Sequence, residues 1–175
     1  AVLEQLGHEV VVYSQDMNHT PDDHLRTFLD ENPFDVVAIS LIAGYYQYRR
    51  LLGLSKAINA SKRRPTYIIG GYGPTPEPEF FVRKTECDIV VLGEGEQSCV
   101  DLMDALENKK PLKDVLGIAY RDGNDVHVNQ RPPQIEDLDS LPMPAYHLFP
   151  MHYYRMMRMP RAETTDFVMP LMSGR

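Results

Sequence analysis

Along this chain the spacing of apolar residues switches repeatedly between the helical and the strand period, and that alternation limits the possible folds more than any other feature. Ala1 to Leu6 read as the end of a helix, with Gly7 as its cap and Val10 to Tyr13 as a strand. In HTPDDHLRTFLDENP, Thr20 is placed to cap a helix, Pro21 to occupy its first position, and Asp22 and Asp23 to favour its positive end. Leu25, Phe28 and Leu29 form that helix's apolar stripe, and Pro33 ends it. FDVVAIS is a short continuous apolar run, as expected of a strand buried on both faces of a parallel sheet. A helix with Leu51, Leu54 and Ile58 on one side follows, then the strand TYIIGG, a helix around Glu77 to Lys84, and the strand of CDIVVLGEGE. The next helix places Cys99, Met103 and Leu106 at helical spacing.

Four strands separated by helices specify an α/β protein of the Rossmann-like or flavodoxin-like class, an open, doubly wound parallel sheet with right-handed crossovers. Such a sheet does not begin with half a helix, so the expectation is that a first strand precedes residue 1. A sheet lacking that strand exposes an edge, which favours a homodimer. From Asn108 the pattern changes. LGIAYRDGNDVHVN alternates apolar and polar residues around Asp122, Gly123 and Asn124, the signature of a β-hairpin. QRPPQIEDLDSLPMPAYHLFP is too rich in proline for regular structure and reads as a linker on a surface. The expected divisions are an α/β domain over residues 1–107, a hairpin extension over 108–130, and a linker leading into a further domain over 131–175.

The charge balance removes several functions. Eighteen Lys and Arg stand against 25 Asp and Glu, a net charge of −7, and the basic residues are scattered apart from SKRRP. Neither a nucleic-acid groove nor an anionic membrane suits that surface. No run approaches the length of a membrane span. Cys87 and Cys99, in apolar-patterned segments, read as reduced structural thiols of a cytoplasmic protein. His8, His19, His24, His127, His147 and His152 form no metal-ligand spacing with either cysteine.

In an open parallel sheet ligands bind at the carboxyl ends of the strands. The contact segments are therefore SQDMNHT, SLIAGYY, GGYGPT and GEGEQS. Gly70, Gly71 and Gly73 would let a large ligand approach the backbone, while Tyr72 and Thr75 supply side chains at the rim. The competing reading is that these glycines only make sharp turns. GGYGPT is neither a dinucleotide fingerprint nor a P-loop, and Glu94 and Glu96 between Gly93 and Gly95 and beyond would repel a diphosphate. A phosphorylated receiver domain would need Asp where Ser40 stands.

Ser40, Leu41 and Ile42, then 27 residues, then Gly70 and Gly71, resemble the Ser-x-Leu and Gly-Gly elements of the cobalamin-binding fold, with Ile42 a departure from the usual Leu. The resemblance implies that the small hydroxyl and the paired glycines leave room for the nucleotide tail of cobalamin, while the corrin ring lies across the strand ends. It implies a cofactor site drawn from Ser40, Leu41, Ile42, Gly44, Tyr45, Gly70, Gly71, Tyr72, Gly73, Thr75, Gly93, Glu94, Gly95 and Glu96. The family's Asp-x-His-x-x-Gly element would fall before residue 1, and His19 follows the wrong strand to replace it.

IIGGYGPT, DIVVLGEGE, GIAYRDGNDV, PPQIEDLDSLPMPAY and FVMPLMSGR, in that order, are similar to the amino-terminal part of cobalamin-dependent radical S-adenosylmethionine proteins, a group including anaerobic magnesium-protoporphyrin ester cyclases and methylases of unactivated carbon. The resemblance implies that a radical barrel carrying a 4Fe-4S cluster and S-adenosylmethionine is the partner of this segment. The cluster-binding cysteines would follow Arg175, so the chain itself carries no catalytic residue. Three readings stand: a cobalamin-holding module, a domain of the same ancestry that has lost the cofactor, and a module for another small molecule. The second predicts bulky side chains in the tail slot, with Tyr45, Tyr46 and Tyr72 as the candidates.

Overall fold

The computed structural model describes residues 1–42 and 44–154. FVMPLMSGR and most of the methionine-rich tail lie outside the described residues. Contacts divide the described chain into two compact units, one of Pro21–Leu141 with Val2, the other of Ala1, Leu3–Thr20 and residues 142–154.

In the smaller unit a short helix, α1 (Val2–Gln5), is followed by Gly7 at φ +89°, whose N–H bonds the Glu4 carbonyl. This is the expected glycine stop. A second turn, α2 (Gln15–Asn18), ends on the exposed His19 in the left-handed region, φ +48°. Val10 to Tyr13 do not form the expected strand. Their composition is strand-like, but a strand exists through a hydrogen-bonded neighbour, and no described strand pairs with them. Thr20 also departs from expectation. Its hydroxyl meets the Tyr13 hydroxyl at 3.1 Å, and Pro21 instead of Thr20 stands before the next helix.

The larger unit runs as α3 (Asp22–Glu31), β1 (Val36–Ser40), α4 (Tyr45–Asn59), β2 (Thr66–Gly70), α5 (Pro78–Thr85), β3 (Ile89–Val91), α6 (Glu96–Glu107), β4 (Ile118–Asp122) and β5 (Asp125–Val128). The five strands form one sheet in sequence order. β1, β2 and β3 are parallel, as the α-helical crossovers require. The hairpin is more than an extension: β4 pairs antiparallel with β3, setting Val91 opposite Ile118, so the sheet is mixed. Gly123, at φ +60°, begins the two-residue turn to β5, the pattern of a type II′ hairpin.

Helices cover both faces of the sheet. Strand residues alternate between them, so Ile68, Ile89, Val91 and Ile118 face Leu102 and Ala105 of α6 in one apolar cluster. On the other face lie Tyr67, Ile69 and Val90, all fully buried. There the Tyr67 hydroxyl meets that of Ser55 in α4 at 2.8 Å, and Phe81 and Val82 are buried along α5. Each buried Ile, Val or Leu contributes about 1.5–3 kcal/mol, so the apolar contacts on both faces are a main source of the fold's stability.

Gly117 sets the course of the proline-rich segment. Its carbonyl accepts from Leu92 N–H at 2.8 Å and its N–H donates to Gln130 O at 2.8 Å. A Cβ there would stand 2.3 Å from Ser98 Oγ and 2.8 Å from Pro132 Cδ, at φ +71°. Only glycine allows the segment to cross so close to α6. Farther along, Ile135 N–H donates to Glu94 Oε2 at 3.3 Å, fixing the segment beside the loop after β3.

Candidate functional site

The carboxyl ends of β1, β2 and β3 lie side by side and bring three of the predicted loops together. Ser40 and Gly70 are register partners on β1 and β2, so both point to the face that α6 covers. That cover is incomplete. Val36 packs partly against the α6 cluster, whereas Ala38 and Ser40, two and four residues on, are exposed. Gly70 continues the strip, and a Cβ added there would meet Val91 Cβ at 3.7 Å, an ordinary contact. The strip therefore runs through Ala38, Ser40 and Gly70 to Val91. It is bordered at the start of α6 by Gly95, where an added Cβ would lie 3.6 Å from both Val91 Cγ1 and Cys99 Sγ. Small residues on a sheet face that no described helix fills make an open lane.

The paired glycines divide in role. Gly71 has φ +99°, and a Cβ would stand 2.5 Å from Leu41 O and 3.0 Å from Ser40 Oγ. At Gly73 a Cβ would lie 2.8 Å from Leu41 Cδ2. Both are required for the loop after β2 to lie against the loop after β1. Two backbone bonds hold the loops there, Leu41 N–H to Gly70 O at 2.9 Å and Gly73 N–H to Leu41 O at 3.0 Å. Leu41 is buried, 5% exposed, and serves this packing. Gly70 alone of the three would accept a Cβ without a close contact.

At the rim the side chains stand clear. Ile42, Tyr45, Tyr46 and Tyr72 are 63%, 76%, 72% and 76% exposed. Gly44, at φ +108°, precedes α4, and Tyr45 and Tyr46 occupy its first turn. The tyrosines do not plug the lane. The Thr75 hydroxyl, expected at the rim, is already engaged: it donates to Gly71 O at 2.8 Å and accepts from Gly93 N–H at 3.1 Å. Gly93 is exposed at φ +70°, and Gly95 caps α6 with Glu96 in its first turn, where a carboxylate suits the positive helix end. Burial, and then the nearby Glu96 charge, raise the Cys99 thiol above its ordinary range.

Ser40 is exposed and its hydroxyl has no partner among the described residues. With none of those residues engaging its donor or acceptor, and beside bare backbone, it is suited to a polar atom of an elongated ligand. Sequence reasoning missed Ala38, Val91 and Cys99 as lane residues. Ala38 had a signal, since it lies two before Ser40 on a strand and so shares its face; the other two depend on which helix covers that face. Among the described residues no group of three or more His, Cys, Asp or Glu is placed to hold a metal ion.

This architecture, with its glycine-bearing loops at the ends of parallel strands, is that of a cofactor-binding α/β domain. The chain belongs to the B12-binding domain family, which it matches over residues 1–103. It is 33% identical over 123 residues to an uncharacterized methyltransferase of Pyrococcus horikoshii, covering 69% of this chain and 26% of that protein. It is 37% identical over 81 residues to the anaerobic magnesium-protoporphyrin IX monomethyl ester cyclase of Synechocystis, covering 45% of this chain and 16% of that protein. The chain thus spans about a quarter or less of these relatives. Among solved structures the radical S-adenosylmethionine methyltransferase TsrM of Kitasatospora setae, with cobalamin and a 4Fe-4S cluster bound, matches with a TM-score of 0.61 at 18% identity. That match covers 74% of this chain and 26% of TsrM. The cobalamin-dependent radical enzyme OxsB matches with a TM-score of 0.53 at 22% identity over 66% of this chain and 16% of its own. This chain is a B12-binding domain resembling those of cobalamin-dependent radical S-adenosylmethionine enzymes. Among the described residues no helix is long and apolar enough to cross a membrane.

Proposed function

We propose that the lane of Ala38, Ser40 and Gly70 receives the nucleotide tail of cobalamin, and that Tyr45, Tyr46 and Tyr72 flank the corrin at the rim. The observation carrying this reading is the exposed Ser40 hydroxyl, without a partner among the described residues, on a sheet face that those residues leave uncovered, beside a glycine that the surrounding packing does not require. Ser40 would bond a polar atom of the tail; Gly70 would let it pass; Gly71, Gly73 and Leu41 would hold the loops that shape the entrance. When bound, cobalamin supplies methyl-group carriage or one-electron chemistry, and the protein supplies orientation and access. A domain that had lost the cofactor would fill this lane with side chains, and the exposure of the three tyrosines speaks against that alternative.

In the intact protein the module would serve a radical S-adenosylmethionine barrel that begins, after a linker, within residues 131–175. The parent reaction would be methyl transfer to an unactivated carbon or anaerobic oxidative cyclisation, in the cytoplasm. The names of the relatives, a methyltransferase and an anaerobic ester cyclase, support methyl transfer and cyclisation as the two classes.

The test is titration of the intact protein with hydroxocobalamin, beside Gly70→Leu and Ser40→Ala. Saturable wild-type binding is expected, lost in Gly70→Leu with the thermal midpoint preserved, and weakened in Ser40→Ala by roughly three- to tenfold, the worth of one hydrogen bond. Absence of wild-type binding, or undiminished binding by Gly70→Leu, overturns the reading.

A further inference from the structure

We propose that Thr75 is a positioning residue, not a cofactor ligand: its hydroxyl fastens the loop after β2 to the loop after β3 and so fixes the shape of the cofactor entrance. The inference rests on the cobalamin reading and deepens it. The first two loops are joined through main chain, by the bonds between Leu41 and Gly70 and between Gly73 and Leu41. The link to the third is made by a side chain. Thr75 Oγ1 donates its proton to Gly71 O at 2.8 Å and accepts the Gly93 N–H at 3.1 Å.

A hydroxyl has one proton to give, and here it is given to Gly71, so Thr75 has no donor left for a ligand. Leu92 and Glu94 on either side are tied to Gly117 O and Ile135 N–H, and Thr75 adds the tie at Gly93 itself. Gly93 is exposed, sits at φ +70°, and a Cβ at its position would touch nothing within 4 Å, so no side-chain packing holds that point of the loop. The carbonyl that Thr75 takes belongs to Gly71, the residue whose close approach to Leu41 O sets the distance between the first two loops. One hydroxyl therefore makes three loops a single rim, and a preformed rim binds without having to order itself.

The experiment compares Thr75→Val, which replaces the hydroxyl by a methyl of similar size, with Thr75→Ser, which keeps it. Three readouts on the intact protein are hydroxocobalamin affinity, amide exchange at Gly93 without cofactor, and the thermal midpoint. Thr75→Val is expected to weaken binding about tenfold and to speed Gly93 exchange by about the same factor, for one to two hydrogen bonds lost. Thr75→Ser is expected to restore both. Wild-type affinity in Thr75→Val, or equal loss in Thr75→Ser, overturns the positioning role while leaving the cofactor reading intact. Failure of the wild type to bind overturns the cofactor reading and this inference with it, and the Gly93 exchange then reports only how the loops are joined.

Discussion

Gly71 and Gly70 are neighbours in the sequence with opposite demands on them. At Gly71 a methyl group would meet a carbonyl oxygen at 2.5 Å on a backbone at φ +99°, whereas at Gly70 it would find ordinary contact with Val91. Gly71→Ala is therefore expected to cost about 3 kcal/mol, from backbone strain and overpacking together. Gly70→Ala should change stability by less than about 0.5 kcal/mol. Urea midpoints of the two variants, measured side by side, check this, and equal losses would refute the division of roles. The sequence shows a Gly-Gly pair after a strand and so places the loop. It does not show which glycine the fold consumes, because the oxygen that forbids a side chain at Gly71 belongs to Leu41, thirty positions away. Thr75 was legible as a residue of that loop, but its bond to the Gly93 N–H, eighteen positions on, was not.

At the scale of elements, the starts of β2 and β3 are tied by one carboxylate. Asp88 accepts from Arg64 at 2.8 and 3.0 Å and from Tyr67 N–H at 2.7 Å, while Arg64 also donates to Glu86 O and Asn59 Oδ1. The ion pair is partly exposed and contributes little by charge alone. The backbone amide matters more, since removing its acceptor leaves a part-buried N–H unpaired. Asp88→Ala is expected to cost about 2 kcal/mol, Asp88→Asn about half that because an amide oxygen still accepts from Tyr67, and Arg64→Ala less than about 1 kcal/mol. Chemical denaturation of the three variants tests the order; a larger loss in Arg64→Ala than in Asp88→Ala would mean the guanidinium is the fastener. Most elements were readable from the residues: α3, α4, α5 and α6 fall where the apolar period places them, and the three parallel strands where short continuous apolar runs stand between those helices. Val10 to Tyr13 were not, because apolar β-branched composition states a preference for pairing and only a neighbouring strand satisfies it. The hairpin was legible as a hairpin through its Gly-Asn turn, but its antiparallel docking on β3 depends on Val90 and Ala119 meeting across the sheet, a long-range pairing that leaves no local mark.

At the scale of the whole molecule, weak acids fully buried on one side of the sheet and partly buried on the other set an alkaline limit to stability. Tyr67, fully buried between the sheet and α4, has its phenol raised above the ordinary value of 10, first by burial and against the Ser55 hydrogen bond. Burial pushes the Cys87 thiol up from 9 to about 11, and Cys99 on the opposite face is raised as well. Each group holds its proton more tightly folded than unfolded, so the stabilisation is complete below the unfolded values of 9 and 10 and is lost as pH rises through the folded ones. Above about pH 9 the unfolded chain gives up protons that the folded chain keeps, and the balance tilts toward unfolding. For Cys87 alone the two-unit rise corresponds to roughly 2–3 kcal/mol lost by about pH 11, at about 1.4 kcal/mol per unit. Urea midpoints measured from pH 7 to pH 11 should stay level to about pH 9 and then fall, with tyrosinate absorbance of the buried phenol appearing only as the protein unfolds. A midpoint that stays level to pH 11 would mean that water reaches Tyr67 and Cys87 in the folded state, and that the close packing of α4 and α5 on the sheet does not seal that face.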